Sequence, residues 1–250
     1  LKLIIFCVVT VFLLAVVLML VVPLFIKENS RRGVMIQGMF RSNFLLFGVP
    51  LVRSLSGEEG VALVSMLIVV IIPLFNALAV VSLALFQTGN GKRYSAWGVI
   101  RDILTNPLII SSAIAVAAVL IGIRLPSVLE KTISSVAGIA TPLSLIVLGG
   151  EFNTGNVKNY IGHTMIAVAV KLAVVPAVML PVAVSLGFRG TALCAILTLF
   201  ASPVAVSSYV MAKTGGGDGD LAANLVIFST LFSSVSIFFI VLIMRSLGYI

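Results

Sequence analysis

Eight long apolar runs, separated by short polar stretches, constrain this chain more than any other feature. They are Leu3–Ile26, Val34–Leu55, Val61–Leu85, Pro107–Ile123, Ile133–Gly150, Tyr160–Leu186, Thr191–Ala212 and Leu221–Leu247. A helix needs about 20 predominantly apolar residues to cross the hydrocarbon of a bilayer, and these runs meet or approach that length. Inside hydrocarbon each backbone group must find its partner within the chain, which restricts segments of this length to helices. Composition agrees, since 60% of the 250 residues are hydrophobic and only 10% are charged, against roughly 25% charged in a soluble domain. The sequence therefore reads as an all-α polytopic membrane protein, multi-pass in the cell (inner) membrane.

The formal charge of +8 does not argue for nucleic acid as a partner. Its lysines and arginines sit mostly between the apolar runs, where the flanking cations of membrane spans belong. Cys7 and Cys194 both lie inside apolar runs, so they read as small packing residues rather than a disulfide. His163 is a single histidine, so no metal site is expected, and nothing calls for a cofactor. The first run, Leu3–Ile26, is too long for the core of a signal peptide and lacks a small-residue cleavage site. It is read as a true span whose upstream sequence is missing.

Two of the runs carry their own interruptions. Arg41–Leu51 reads RSNFLLFGVPL, placing a cation, a hydroxyl, an amide, Gly48 and Pro50 inside an apolar segment. Glycine adds backbone freedom, and proline removes a donor and clashes with the preceding turn. Phe200–Met211, FASPVAVSSYVM, has the same character, with Ser202 and Pro203. Broken helices at membrane depth are tolerated where the freed backbone faces protein or a water-filled cavity, so both stretches read as parts of a substrate or ion site.

The two stretches also align with each other. Placing Phe40 on Phe200, an offset of 160 residues, aligns Ser42 with Ser202 without a gap. The same offset pairs Arg53 with Lys213, Ser54 with Thr214, Gly57 with Gly217, Glu58 with Asp218 and Ala62 with Ala222. The broken runs are the second and the seventh, an odd number of crossings apart, so the two copies run oppositely through the membrane. Paired interrupted helices in inverted copies mark the binding site of secondary transporters. The expected architecture is an inverted-repeat (5+5) fold with two broken helices running oppositely, truncated to about eight spans. Residues 1–86 would hold the last three spans of the first repeat, 87–106 a cytoplasmic linker, and 107–250 the second five-span repeat. The linker is placed in the cytoplasm because the densest basic clusters, Lys27 with Arg31 and Arg32, and Lys92 with Arg93, share its side. Tyr94 and Trp97 in that linker suit a membrane interface.

These motifs resemble a known family. SNFLLFGVPLVRSLSG is similar to the fourth-span motif of the auxin efflux carrier family, in which an Asn is followed by Gly-x-Pro and a basic residue. ASPVAVSSYVMAKTGGGDGD is similar to that family's ninth span, VKLAVVPAVML to its eighth and ATPLSLIVLGG to its seventh. The resemblance covers nearly the whole chain, with the first two family spans absent. It implies ten spans in two inverted repeats, with the fourth and ninth helices crossing where they unwind, and transport of small organic anions. Carried over by position, Asn43, Gly48 and Pro50 match the fourth-span motif and Pro203 the crossover proline of the ninth. Plant members often have proline where this chain has Ser42.

The expected substrate-binding residues are Ser42, Asn43, Lys171, Ser202 and Pro203, with Gly48, Pro50 and Pro203 as the crossover or hinge. Lys171 lies about 11 residues into its run, roughly 16 Å at helical rise, and an ammonium there costs about 2.5–3.5 kcal/mol on insertion scales. It should face the bundle interior and attract an anion. Arg41 lies nearer the end of its run, where an interfacial anchor is an equal reading. Ser207 and Ser208 are weaker candidates, because serines readily bond to carbonyls of their own helix. All eight acids fall in loops or at span ends, so no midplane carboxylate relay is visible and neither a proton nor sodium is assigned as coupling ion. Gly215–Asp218 reads GGGD, a pattern of intramembrane aspartyl proteases, but that chemistry needs a second intramembrane Asp sharing a proton. It is read instead as a glycine-rich turn whose acids serve a helix end.

The functional expectation is a secondary transporter, not an enzyme, moving a small mono- or dicarboxylate by alternating access. The alternatives are a sodium-coupled organic-solute symporter of a related inverted-repeat fold and a channel or facilitator. Its partners would be the organic anion, the lipid bilayer, a coupling proton or sodium ion, and a second copy of the chain as homodimer.

Overall fold

A computed structural model describes residues 1–86, 96–105, 107–123, 125–152 and 154–250. The linker residues Lys92, Arg93 and Tyr94, and Arg124 between the fourth and fifth runs, lie outside the described residues. The helices are α1 (Lys2–Phe25), α2 (Asn29–Phe40), α3 (Val49–Leu85), α4 (Ala96–Thr105), α5 (Pro107–Ile121), α6 (Ser127–Glu151), α7 (Val157–Ala169), α8 (Val175–Ser185), α9 (Gly190–Ala201), α10 (Ser207–Thr214) and α11 (Gly219–Ser246). Two π-helical turns, Phe44–Gly48 and Val170–Val174, run directly into α3 and α8. Among the described residues, five continuous helical stretches are long and apolar enough to cross a membrane. The protein is an all-α polytopic membrane protein.

The sequence of each helix explains which side it buries. In α1 the buried residues Cys7, Val11, Ala15, Leu18 and Val22 recur every three or four positions and make one stripe. Leu13, Leu20 and Leu24, off that stripe, are exposed to the surroundings. Cys7 is thus a packing residue. The two broken helices behave differently, because residues 33–44 and 193–206 are buried without a gap. Their polar residues are enclosed by the other helices, so the centre of the bundle is where hydrogen-bonding groups concentrate.

The second and third apolar runs meet within α3. At Gly57 the backbone leaves helical geometry, with φ 62° and ψ −153°, a region glycine enters without a Cβ penalty. The chain doubles back there. A Cβ built on Gly60 would lie 2.7 Å from Val52 Cγ2, whereas eight residues of straight helix span about 12 Å.

Two boundaries differ from the sequence expectation. The amphipathic stretch before the fifth run is continuous with α6, which starts at Ser127 rather than Ile133. The polar linker contains a helix of its own, α4, at Ala96–Thr105. α5 and α6 flank the bundle and are exposed along nearly all their length.

Candidate functional site: a crossover of two broken helices

α2 stops at Phe40 and α9 at Ala201, and each chain runs extended before helix resumes. Arg41 takes φ −82° and ψ 122°, and Ser202 takes φ −64° and ψ 148°. Where the two stretches cross they pair as strands would, through one antiparallel bridge between Ser42 and Val204. The Asn43 N–H donates to the Pro203 carbonyl at 2.7 Å. The broken helices therefore touch, and their chains run oppositely at the point of contact.

Proline explains where the carbonyls go. Pro203 has no N–H to give the Leu199 carbonyl four residues back, and the Ser42 hydroxyl donates to that oxygen at 2.5 Å. Lys171 in turn donates from Nζ to the Ser42 oxygen. The same logic holds at Pro176, whose missing N–H leaves the Leu172 carbonyl free; the Ser236 hydroxyl donates to it at 2.5 Å. Both π-helical turns end two residues before a proline, Pro50 or Pro176. A turn with one extra residue absorbs the clash that proline would impose on a regular α-turn.

Gly48 and Pro50 do not sit at the break itself. Gly48 is in ordinary right-handed helical geometry, with φ −66° and ψ −47°. Its smallness serves packing, because a Cβ there would lie 2.9 Å from the Phe44 ring. Pro50 is the second residue of α3, directly behind the π-helical turn that accommodates its ring and missing donor. The interruption lies one to two turns earlier, at Arg41–Asn43.

A cavity of about 390 Å³ opens on one side of the crossover. Arg41, Ser42 and Asn43 line it, with Asn76 from α3, Ser207 from α10, and Thr141 and Ser144 from α6. Phe44, Leu45, Phe75 and Val206 add apolar wall. Arg41 is buried, yet its partners are neutral: one terminal nitrogen donates to Asn76 Oδ1 at 2.7 Å and to Ser207 Oγ at 2.9 Å, and the other approaches the Met211 sulfur. Among the described residues no carboxylate pairs with it. An intramembrane cation without a counter-charge is costly, and such residues mark substrate or ion paths.

The structure sorts the expected residues into two groups. Ser42 and Asn43 line the cavity. Ser202, Pro203 and Lys171 do not. Ser202 donates to the Thr198 carbonyl of its own helix at 2.5 Å, and Lys171 is wholly buried on Ser42. Arg41, for which an interfacial anchor was an equal reading, faces the cavity, and Asn76 of the third run joins it there. The start of α10 offers little free backbone charge, because the N–H groups of Ser208 and Tyr209 already donate to Ala205 and Val206 carbonyls at 2.9 and 3.0 Å. The full positive charge on this cavity is the Arg41 guanidinium. Far from the cavity, Asp218 of the GGGD stretch caps α11, accepting from the Leu221 N–H at 3.0 Å.

A family model described as a membrane transport protein matches residues 93–241, from the linker into α11. No curated protein matches the chain.

Proposed function

The chain belongs to this family of membrane transport proteins, the auxin efflux carrier family, and from that premise we propose that it is a secondary transporter for a small organic anion. The observation that carries this reading is Arg41, a buried guanidinium on a cavity at the crossover, held only by neutral groups. A carboxylate entering the cavity would supply the missing counter-charge, and a charge-assisted pair of this kind is about twice as strong as a neutral hydrogen bond. The Asn43 amide on the same wall would add a directional contact.

The build of the site supports an alternating-access cycle. Its walls come from the crossing arms, α3, α10 and α6, and α6 is exposed along most of its length. Movement of the crossing arms against α6 would open the cavity to one membrane face and then the other, as inverted-repeat carriers do. Residues 1–86 would supply the last three spans of the first repeat of this carrier and residues 107–250 the second five-span repeat.

The test is uptake of radiolabelled mono- and dicarboxylates into proteoliposomes, with and without proton and sodium gradients. Saturable uptake with counterflow is expected for at least one acid, with a half-saturating concentration raised about tenfold or more in Arg41→Gln. Flux that never saturates and shows no counterflow would identify a channel instead.

A further inference from the structure

Lys171 is a buried cation that the cavity does not use. It comes from a third span, the π-helical turn between α7 and α8, and is fully enclosed. Its recorded partner is Ser42, the first arm's residue at the crossing. Ser42 passes the contact on to the Leu199 carbonyl in the second arm. A hydroxyl has one proton and two lone pairs, and both roles are spent here: the proton goes to Leu199, and a lone pair accepts from Lys171. The chain Lys171 to Ser42 to Leu199 thus joins three spans at the point where two helices are broken.

Leu199 also lies in the last turn of α9, where unpaired carbonyls concentrate partial negative charge. In carriers built from broken helices, such C-terminal ends are where coupling cations bind. We propose that Lys171 is the positioning residue of the crossover, a built-in cation that braces the α9 end through Ser42 and does from a third span what a bound sodium ion would do. The crossover then keeps its paired geometry without sodium. Ser42, its only proton committed, shapes the cavity wall but gives no hydrogen to the substrate.

The π-helical turn is what makes this reach work. Pro176 frees the Leu172 carbonyl, Ser236 takes it up at 2.5 Å, and the widened turn held in this way carries Lys171 one residue before Leu172.

Amide hydrogen exchange of the purified protein in nanodiscs tests this without knowledge of the substrate. In the wild type, exchange across Leu199–Ser207 should be equal in sodium chloride and in choline chloride. Lys171→Met should speed it about tenfold or more, as expected on loss of a buried charged hydrogen bond. Sodium should restore part of the protection in that variant, and Lys171→Arg should keep most of it. If Lys171→Met does not fold, Ser42→Ala cuts the same tie and should give the same acceleration. Wild-type protection that depends on sodium, or unchanged exchange in both Lys171→Met and Ser42→Ala, would overturn the proposal.

Discussion

Asn43 and Pro203, 160 residues apart, meet backbone to backbone, with the Asn43 N–H donating to the Pro203 carbonyl at 2.7 Å. They are also partners under the repeat offset. A symmetric pair would return a second bond from residue 203 to residue 43, but proline has no N–H to give. The Asn43 carbonyl accepts instead from the Phe47 N–H at 3.1 Å. The crossover is therefore asymmetric at its centre, and the asymmetry lies in one imino acid.

Pro203→Ala restores an N–H that the Leu199 carbonyl can accept within its own helix. It would compete with the Ser42 hydroxyl and favour closing α9 towards α10. The expected outcome is transport slowed more than binding, measured as separate changes in maximal uptake rate and in half-saturating concentration. Equal loss of both would show that Pro203 acts in the ground state only.

Arg41→Gln removes the cavity's cation while keeping an amide for Asn76 and Ser207. Affinity for the transported acid should fall about tenfold or more, with thermal stability in detergent held or improved because a buried charge has gone. Arg41→Lys should not restore affinity, since an ammonium lacks the planar fork that reaches Asn76, Ser207 and a carboxylate together. Substrate binding and melting temperature on both variants check this.

Gly33→Ala tests close packing of α2 on α3. The added Cβ would lie 2.7 Å from the Ser82 carbonyl oxygen and 2.9 Å from Leu83 Cα. Both are backbone atoms and cannot swing aside, so overpacking should cost about 1–3 kcal/mol. Gly138→Ala in α6 is the control, because nothing lies within 4 Å of its Cβ position. The melting temperature should fall for the first and hold or rise for the second, since alanine is the better helix former.

Ser236→Ala leaves the Leu172 carbonyl without the donor that replaces Pro176. A buried acceptor left unserved costs about 1–3 kcal/mol, so the variant should be less stable. Ser236→Thr, which keeps the hydroxyl, should recover most of the loss. Denaturation midpoints of the two variants decide it.

Much of this protein was legible before any coordinates. Hydrophobic length is a local property, so the apolar runs marked the helices to within a few residues, except where α6 absorbed its amphipathic lead-in. The break at Ser202 was legible from Pro203 beside it, and the repeat offset carried it to Ser42, although the first arm's own breakers, Gly48 and Pro50, lie past that point. Even the cap at Asp218 follows from residue type and position.

Side-chain direction at the breaks was not legible. Helical periodicity predicts facing only while the backbone is helical, and Arg41 sits in extended geometry with ψ 122°. That turned a residue readable as an interfacial anchor into the cavity's guanidinium. Lys171 was correctly placed inward by the cost of burying charge, but it lies in a π-helical turn, whose extra residue rotates the following face by about 100° relative to an α-helix. Burial cost is a property of one residue and its depth, so the sequence could determine it. Which of two buried cations meets the cavity and which meets Ser42 depends on how three distant spans pack, and only the tertiary structure decided that.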